Sequence, residues 1–269
     1  LYAQRVLYAF RPSTPTRDEI DIFVGQPVID WSLDAIDKIV PGRTDRRHIP
    51  LQTGAGVINF HPEGDAGLSI SGPALLAFQA LPLGSAKCSG RLLAVHSDNP
   101  DILLHFAADF LEENRRAIHA AQTAGDTKMP EASLKYRTLL IHTLLQARQM
   151  QAKARKNESL FTITAYHLSN SGQGPELDIY HLPSQAILYL QEMNRPPVNA
   201  LWNRVVDAGW ERPKLKRGQT EAPPDFRPAR NWLYEDLFAV ANDPYRAAAR
   251  FIRTYFLRRA YRYARDETD

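Results

Sequence analysis

Catalysis needs side chains that converge, and this sequence offers few ways for them to do so. His96-Ser97-Asp98 is an H-x-D run where a strand gives way to a helix, a pattern that some metal and phosphodiesterase sites use. More often the same three residues are a capping aspartate beside a packed histidine. Eight histidines are scattered over 269 residues, and neither HExxH nor CxxC occurs, so three or four convergent metal ligands are not in view. Gly67-Leu68-Ser69-Ile70-Ser71-Gly72 misses the G-x-S-x-G spacing of a nucleophile elbow. Gly54-Ala55-Gly56 lacks a third glycine and a preceding strand, and no P-loop run exists. Glu112-Glu113 are helix neighbours that point apart. The single cysteine, Cys88, excludes an internal disulfide framework and suits a reducing, cytoplasmic setting. The expectation is a non-catalytic chain with no cofactor and no metal.

Positive charge is the chemistry that does accumulate. The net charge is only +3, but its distribution is lopsided. Arg115, Arg116, Lys128, Lys135, Arg137, Arg148, Lys153, Arg155 and Lys156 face only Asp126 and Glu131 in the same stretch. From Arg246 to Arg265 arginines recur without one acid. Such patches face a phosphate backbone or an acidic surface, or form a solvated helix face. Interleaved Tyr, Gln and Asn add groups able to stack on bases or read their edges.

The elements that must carry these residues centre on Phe161–Pro183. Phe161, Ile163, Ala165 and His167 alternate with polar neighbours, as do Leu177, Ile179 and His181, around a Gly172/Gly174 turn. That is a β-hairpin. Leu1–Phe10 alternates as an edge strand, and Arg11–Arg17 reads as a polar loop. Val28–Val40 reads as an amphipathic helix that Pro41-Gly42 stops, followed by a polar connector over Gly42–Pro50 and a short strand over Gly56–Phe60. Helices are expected over Leu75–Leu83, Asp101–Thr123 and Glu131–Arg155, with a strand over Leu92–His96. Leu103, Phe106, Ala107, Phe110, Leu111 and Ile118 would form the buried stripe of the long helix. Further helices follow over Ser184–Met193, Val198–Gly209, Asn231–Val240 and Asp243–Arg265. On the last, Tyr245, Ala248, Ile252, Tyr255, Phe256 and Tyr263 share the arc opposite the arginines.

The fold class is therefore α+β: a mixed N-terminal α/β body with a central β-hairpin, then a smaller helical, basic C-terminal region. Arg195-Pro196-Pro197 marks the boundary between domains 1–195 and 196–269. No stretch approaches the roughly 20 apolar residues of a membrane span, and the opening LYAQRVLYAFRPSTP lacks a signal-peptide core.

Three blocks in order resemble a known family. Gly25–Leu33 (GQPVIDWSL) is similar to its G-N-P-F-V-D-x-G-L opening, and Gly67–Ser97 resembles its block ending in A-L-P-L-G with the strand that follows. Ala165–Ser184 (AYHLSNSGQGPELDIYHLPS) resembles its N-x-G-Q-G-P segment. The family is the large subunit of type I CRISPR surveillance complexes (Cascade), in the type I-B branch named for paired CxxC motifs. Those motifs are absent here, so any zinc knuckle of the family is lost. The chain is also short for the family, and a separate small subunit could supply a missing helical bundle. The resemblance implies an antiviral-defence protein at the crRNA 5′ end that recognises the protospacer-adjacent motif (PAM) in target double-stranded DNA. It would bind the displaced strand, meet the backbone, crRNA 5′-end and small subunits, and dock an effector helicase-nuclease or a transposition protein.

Two sets of residues are expected to carry that binding. Base reading falls to Asn170, Gly172, Gln173 and Gly174, then Gln52 and Asn59; Asn170 and Gln173 serve equally well as turn caps. Phosphate contacts fall to Lys214, Lys216, Arg217, Arg227 and Arg230, to Arg246, Arg250, Arg253 and Arg258, and to Lys153, Arg155 and Lys156. For Tyr255 and Tyr261 core packing competes with base stacking. Two other classes compete: a scaffold whose basic faces meet acidic proteins, and a small metal-dependent nuclease using His96 and Asp98.

Overall fold

The computed structural model describes residues 2–33, 40–52, 54, 67–126, 128–153, 161–171, 174–213, 223–224 and 226–257. Within them the chain is a mixed α+β protein. It divides into two compact units that interleave along the sequence. The first comprises Leu1–Ala86, Gly90–Ala94 and His167–Asp178; the second comprises Lys87–Ser89, Val95–Tyr166 and Ile179–Asp269. Arg195-Pro196-Pro197 lies inside the second unit.

The first unit opens with helix α1 (Tyr2–Ala9), not the expected edge strand. Val6 and Ala9 are buried and Tyr2 packs on the same core, a face spaced at i, i+4 and i+7 that belongs to a helix. Strands β1 (Thr16–Ile20) and β2 (Pro27–Ile29) pair antiparallel, so part of the expected polar loop and the start of the expected Val28 helix are sheet. Val28 and Ile29 are fully buried, the Ile29 N–H donates to Ile70 O, and β-branched residues suit that pleated surface. Residues 34–39 and the expected Gly56–Phe60 strand lie outside the described residues.

A second antiparallel pair joins β3 (Arg43–Thr44) to β4 (Leu68–Ser69), so the expected connector contains a strand. Helix α2 (Gly72–Ala80) begins as its sequence requires, with the Ser71 hydroxyl accepting from the Ala74 N–H and Pro73 in the first turn. Gly72 has a separate reason: a Cβ there would lie 1.8 Å from the Ala9 carbonyl oxygen, so α1 and α2 approach only because it is glycine. Ile29, Leu33, Ile49, Ile70, Ala74 and Leu75 complete the core.

Strands β5 (Ala86–Cys88), β6 (Arg91–Ser97), β7 (Ile163–Ser171) and β8 (Gly174–Leu182) form one sheet in chain order. The hairpin stands as the sequence expects, and Phe161, Ile163, Ala165 and His167 all point inward. In β8 the phase is the reverse of the expectation. Leu177 and Ile179 are exposed while Tyr180 is half-buried and Leu182 buried.

The second unit is mainly helical. Helix α3 (Pro100–Thr123) starts where the Asn99 carbonyl oxygen caps the Asp101 and Ile102 N–H groups. Its buried stripe is Ile102, Phe106, Phe110 and Asn114, one residue out of phase with the expected Leu103–Leu111 stripe at its start. Helix α4 (Tyr136–Lys153) begins later than expected, because the Ala132 and Lys135 N–H groups donate away from the helix, to Lys87 O and Ala229 O. Leu139, Leu140, Ile141 and Leu144 are buried, as are Thr138 and Thr143, so α4 is enclosed on more than one side. Helices α5 (Ser184–Met193), α6 (Asn199–Gly209), α7 (Trp232–Asn242) and α8 (Pro244–Ile252) follow, and a π-helical turn covers Arg253–Leu257.

Asn231 is fully buried at the hub of these helices. Its Oδ1 caps the Leu233 and Tyr234 N–H groups, its Nδ2 donates to Val206 O, and its N–H donates to Thr138 Oγ1. One side chain therefore closes the first turn of α7 and fastens it to α6. Among the described residues no helix is long and apolar enough to cross a membrane.

Candidate nucleic-acid interface

Helix α8 presents the arginine face. The Asp243 carboxylate accepts from the Arg246 N–H at 3.3 Å and Pro244 occupies the first turn, so a helix starts here for local reasons. Arg246, Arg250 and Arg253 then recur at i, i+4 and i+7 on one exposed stripe, while Phe251 is buried. The arc opposite the arginines is narrower than expected: Tyr245 is 97% exposed and Ile252 half-exposed, so Phe251 and Tyr255 do the anchoring.

Two acids hold this helix. Asp236 on α7 pairs with Arg250 and accepts from the Tyr255 hydroxyl at 2.9 Å. Asp243 sits 3.8 Å from the Arg246 guanidinium, whose side chain is 92% exposed. A contact that long and that solvated is worth little and is readily exchanged for another anion.

Beneath α8 lies a cleft of about 340 Å³ within the second unit. Arg137 enters from α4, Tyr180 from β8, Phe238 and Asn242 from α7, and Arg246 and Arg250 from α8. Tyr136 and Tyr180 stack at 5.2 Å, and Phe238 meets Tyr180 edge-on at 5.3 Å. The Arg137 guanidinium lies over Tyr136 (5.4 Å) and Phe238 (5.5 Å) and donates to the Tyr136 hydroxyl. Behind it, burial pushes the Glu235 carboxyl up, against the pull of Arg137 and Arg230 and of the Thr138 hydroxyl. The result is a cationic rim over an aromatic floor. Arg137 and Tyr180 were not among the expected site residues, because they come from a helix and a strand far apart in the chain.

The remaining expected positions are dispersed. Arg227 donates to Pro224 O and Phe226 O in its own turn, and Arg230 stacks over Trp232 at 4.7 Å. Lys153 ends α4. Lys214, Lys216, Arg217, Arg155, Lys156 and Arg258 lie outside the described residues, as do Gly172, Gln173, Asn59, Tyr261 and Tyr263. Gly174 opens β8.

Asn170 is tied to the backbone of a distant segment. Its carbonyl oxygen accepts from the Leu51 N–H at 3.0 Å and its amide donates to Arg46 O at 2.8 Å, so it fastens a distant loop of the first unit. Gln52 is 8% exposed, and among the described residues neither end of its amide is hydrogen-bonded, so it is a buried side chain and not one presented on a surface.

The alternative catalytic residues are also placed. Asp98 accepts from the Thr162 N–H at 2.8 Å and so pins the entry to the hairpin, while His96 is exposed. Among the described residues no three His, Cys, Asp or Glu side chains could share a metal ion. Cys88 is buried in β5, and burial pushes its thiol up to about 12, far from the thiolate a nucleophile needs.

By fold and site this is an α+β protein with an arginine-lined, aromatic-floored cleft beside an exposed arginine helix. No family model, no curated protein and no solved structure matches the chain.

Proposed function

We propose that this chain is a non-catalytic large subunit of a type I CRISPR RNA-guided surveillance complex, working in the cytoplasm. It binds target duplex DNA at the PAM, aids R-loop formation and docks the effector. The observation that carries the polyanion part is the stripe of Arg246 and Arg250 on α8 and Arg253 directly after it, exposed in a row while Phe251 anchors the helix. Guanidinium groups spaced along a helix follow a phosphate backbone, and their contribution is salt-dependent. The assignment to a surveillance complex rests on the order of the three sequence blocks, which include both strands of the hairpin. Pairing by the guide carries most sequence information in such complexes, which leaves the protein a short motif and a charged track.

Co-expression of the tagged chain with its neighbouring genes tests this reading. The expected result is a particle containing a guide RNA and several other subunits. A chain that purifies without RNA under those conditions contradicts the assignment.

One observation favours a scaffold reading. Ile20, Ile22 and Val24 are exposed at the end of β1, on a turn whose N–H groups Asp21 gathers. Apolar side chains there, beside Asp18 and Glu19, suit a protein surface better than a phosphate backbone. A scaffold that works only in this way keeps its assembly after nuclease treatment, whereas the RNA-guided reading requires that assembly to be lost.

A further inference from the structure

We infer that the cleft beneath α8 takes a single nucleoside-monophosphate unit, with the phosphate between Arg246 and Arg250 and the base against Tyr180, Phe238 and Ala247. The inference rests on the reading of α8 as a nucleic-acid-facing helix and gives that helix a specific pocket. The size fits, because about 340 Å³ accommodates one small planar ligand and not a duplex.

The chemistry divides along the cleft. Arg246 and Arg250 stand one turn apart on the same face and both line the cleft; Arg250 is paired with Asp236, so a phosphate there shares or displaces that carboxylate. Asp243 opposes that anion, but its 3.8 Å contact with a solvent-exposed Arg246 is weak and yields to a better-placed phosphate. Arg137 is already oriented by Tyr136 and Phe238 and adds a third positive charge without needing to be ordered on binding. The floor of Tyr180, Phe238, Ala239 and Ala247 is apolar and partly aromatic, the surface a base ring prefers to water.

Base identity goes unread. Asn242 lines the cleft with its side chain held by backbone, Oδ1 accepting from the His181 N–H and Nδ2 donating to Phe238 O, while the aromatic floor stacks any base alike. Purine and pyrimidine should therefore bind alike.

The ligand could be a free mononucleotide or one unit of a strand, and the test separates the two. Titration calorimetry on the full chain would use dAMP, dCMP and inorganic phosphate. Fluorescence anisotropy would use a labelled single-stranded oligonucleotide and a labelled duplex. Two variants accompany the wild type. Ala247→Leu fills the floor and keeps every charge, while Arg246→Gln removes one exposed guanidinium and keeps the floor. The expected result is that each weakens single-strand binding by about tenfold, the loss typical of one stacked base. dAMP and dCMP should bind equally, if free nucleotides are the source, and each about tenfold tighter than phosphate.

If only the strand binds, the ligand is a strand unit. If free dAMP also binds and Ala247→Leu abolishes it, the pocket accepts the free nucleotide. Wild-type affinity in Ala247→Leu for every probe that binds, or phosphate binding as tightly as dAMP, overturns the inference. So does a wild-type chain that binds none of the mononucleotides and no single strand. Duplex binding distinguishes the two readings: if it persists while the pocket fails, the nucleic-acid reading survives alone. If dAMP binds and neither DNA does, the pocket survives as a free-nucleotide site and the nucleic-acid reading falls.

Discussion

The two units spend their buried polar groups differently. In the first, Asp21 is 3% exposed and its carboxylate gathers the N–H groups of Phe23, Val24, Gly25 and Ser71. Burial alone would push this carboxyl up, but those hydrogen bonds and the Ser71 hydroxyl outweigh it and hold it below the usual range. Asp45 behaves alike, with Arg47 and His48 overcoming burial. In the second unit Glu235 and Glu113 go the other way, because burial dominates. One unit uses ionised carboxylates as staples for irregular backbone. The other uses arginines and aromatic rings to face outward, with the Glu235 carboxyl pushed up by burial behind them. The lesson is that a loop-rich body needs anions to satisfy its N–H groups, whereas helices satisfy their own and leave cations available for a partner.

The largest expected effect breaks the second unit. Asn231→Ala removes an α7 cap and leaves buried donors unpaired, at a cost of about 3 kcal/mol in stability measured by urea unfolding. Asp21→Ala should cost the first unit about 2 kcal/mol at neutral pH, since four N–H groups lose their acceptor.

Acid sharpens the contrast. A carboxyl held low stabilises above its unfolded pKa and loses that stabilisation as pH falls through the folded value, so the Asp21→Ala deficit should shrink below about pH 4. Glu235 has the opposite sign. Its raised carboxyl stabilises most below the unfolded Glu value and loses that as pH rises through the folded one, so Glu235→Gln should gain on wild type between acid and neutral pH. Parallel pH–stability curves for the two variants would erase the distinction. The smallest effect is local: Asn170→Ala costs about 1 kcal/mol and should raise hydrogen exchange at the Leu51 amide, with the α7 and α8 amides unchanged.

Much of the fold was legible because its signals are local. Asn99-Pro100 and Asp243-Pro244 announced helix starts that depend on nothing distant. The hairpin's period of two was readable, yet in β8 its phase was not, since alternation does not say which face meets the core. Helix α1 alternates like a strand in the sequence, because Tyr2, Val6 and Ala9 mark a helical face only once a core exists to receive them. The α8 arginine stripe could be drawn from spacing alone. Its cleft could not, because Arg137, Tyr180 and Asn242 meet through tertiary packing, and Asn170 turned out to bind a loop remote in sequence.

The central claim, that α8 faces a phosphate backbone, is tested most directly by the salt dependence of duplex binding. The comparison is between wild type and the Arg246→Gln/Arg253→Gln double variant, both positions being exposed. The account predicts a steep linear fall of log affinity with log salt for the wild type. It also predicts a slope shallower by about 2 in the variant, with affinity reduced evenly across DNA sequences. Identical slopes for the two proteins would contradict it.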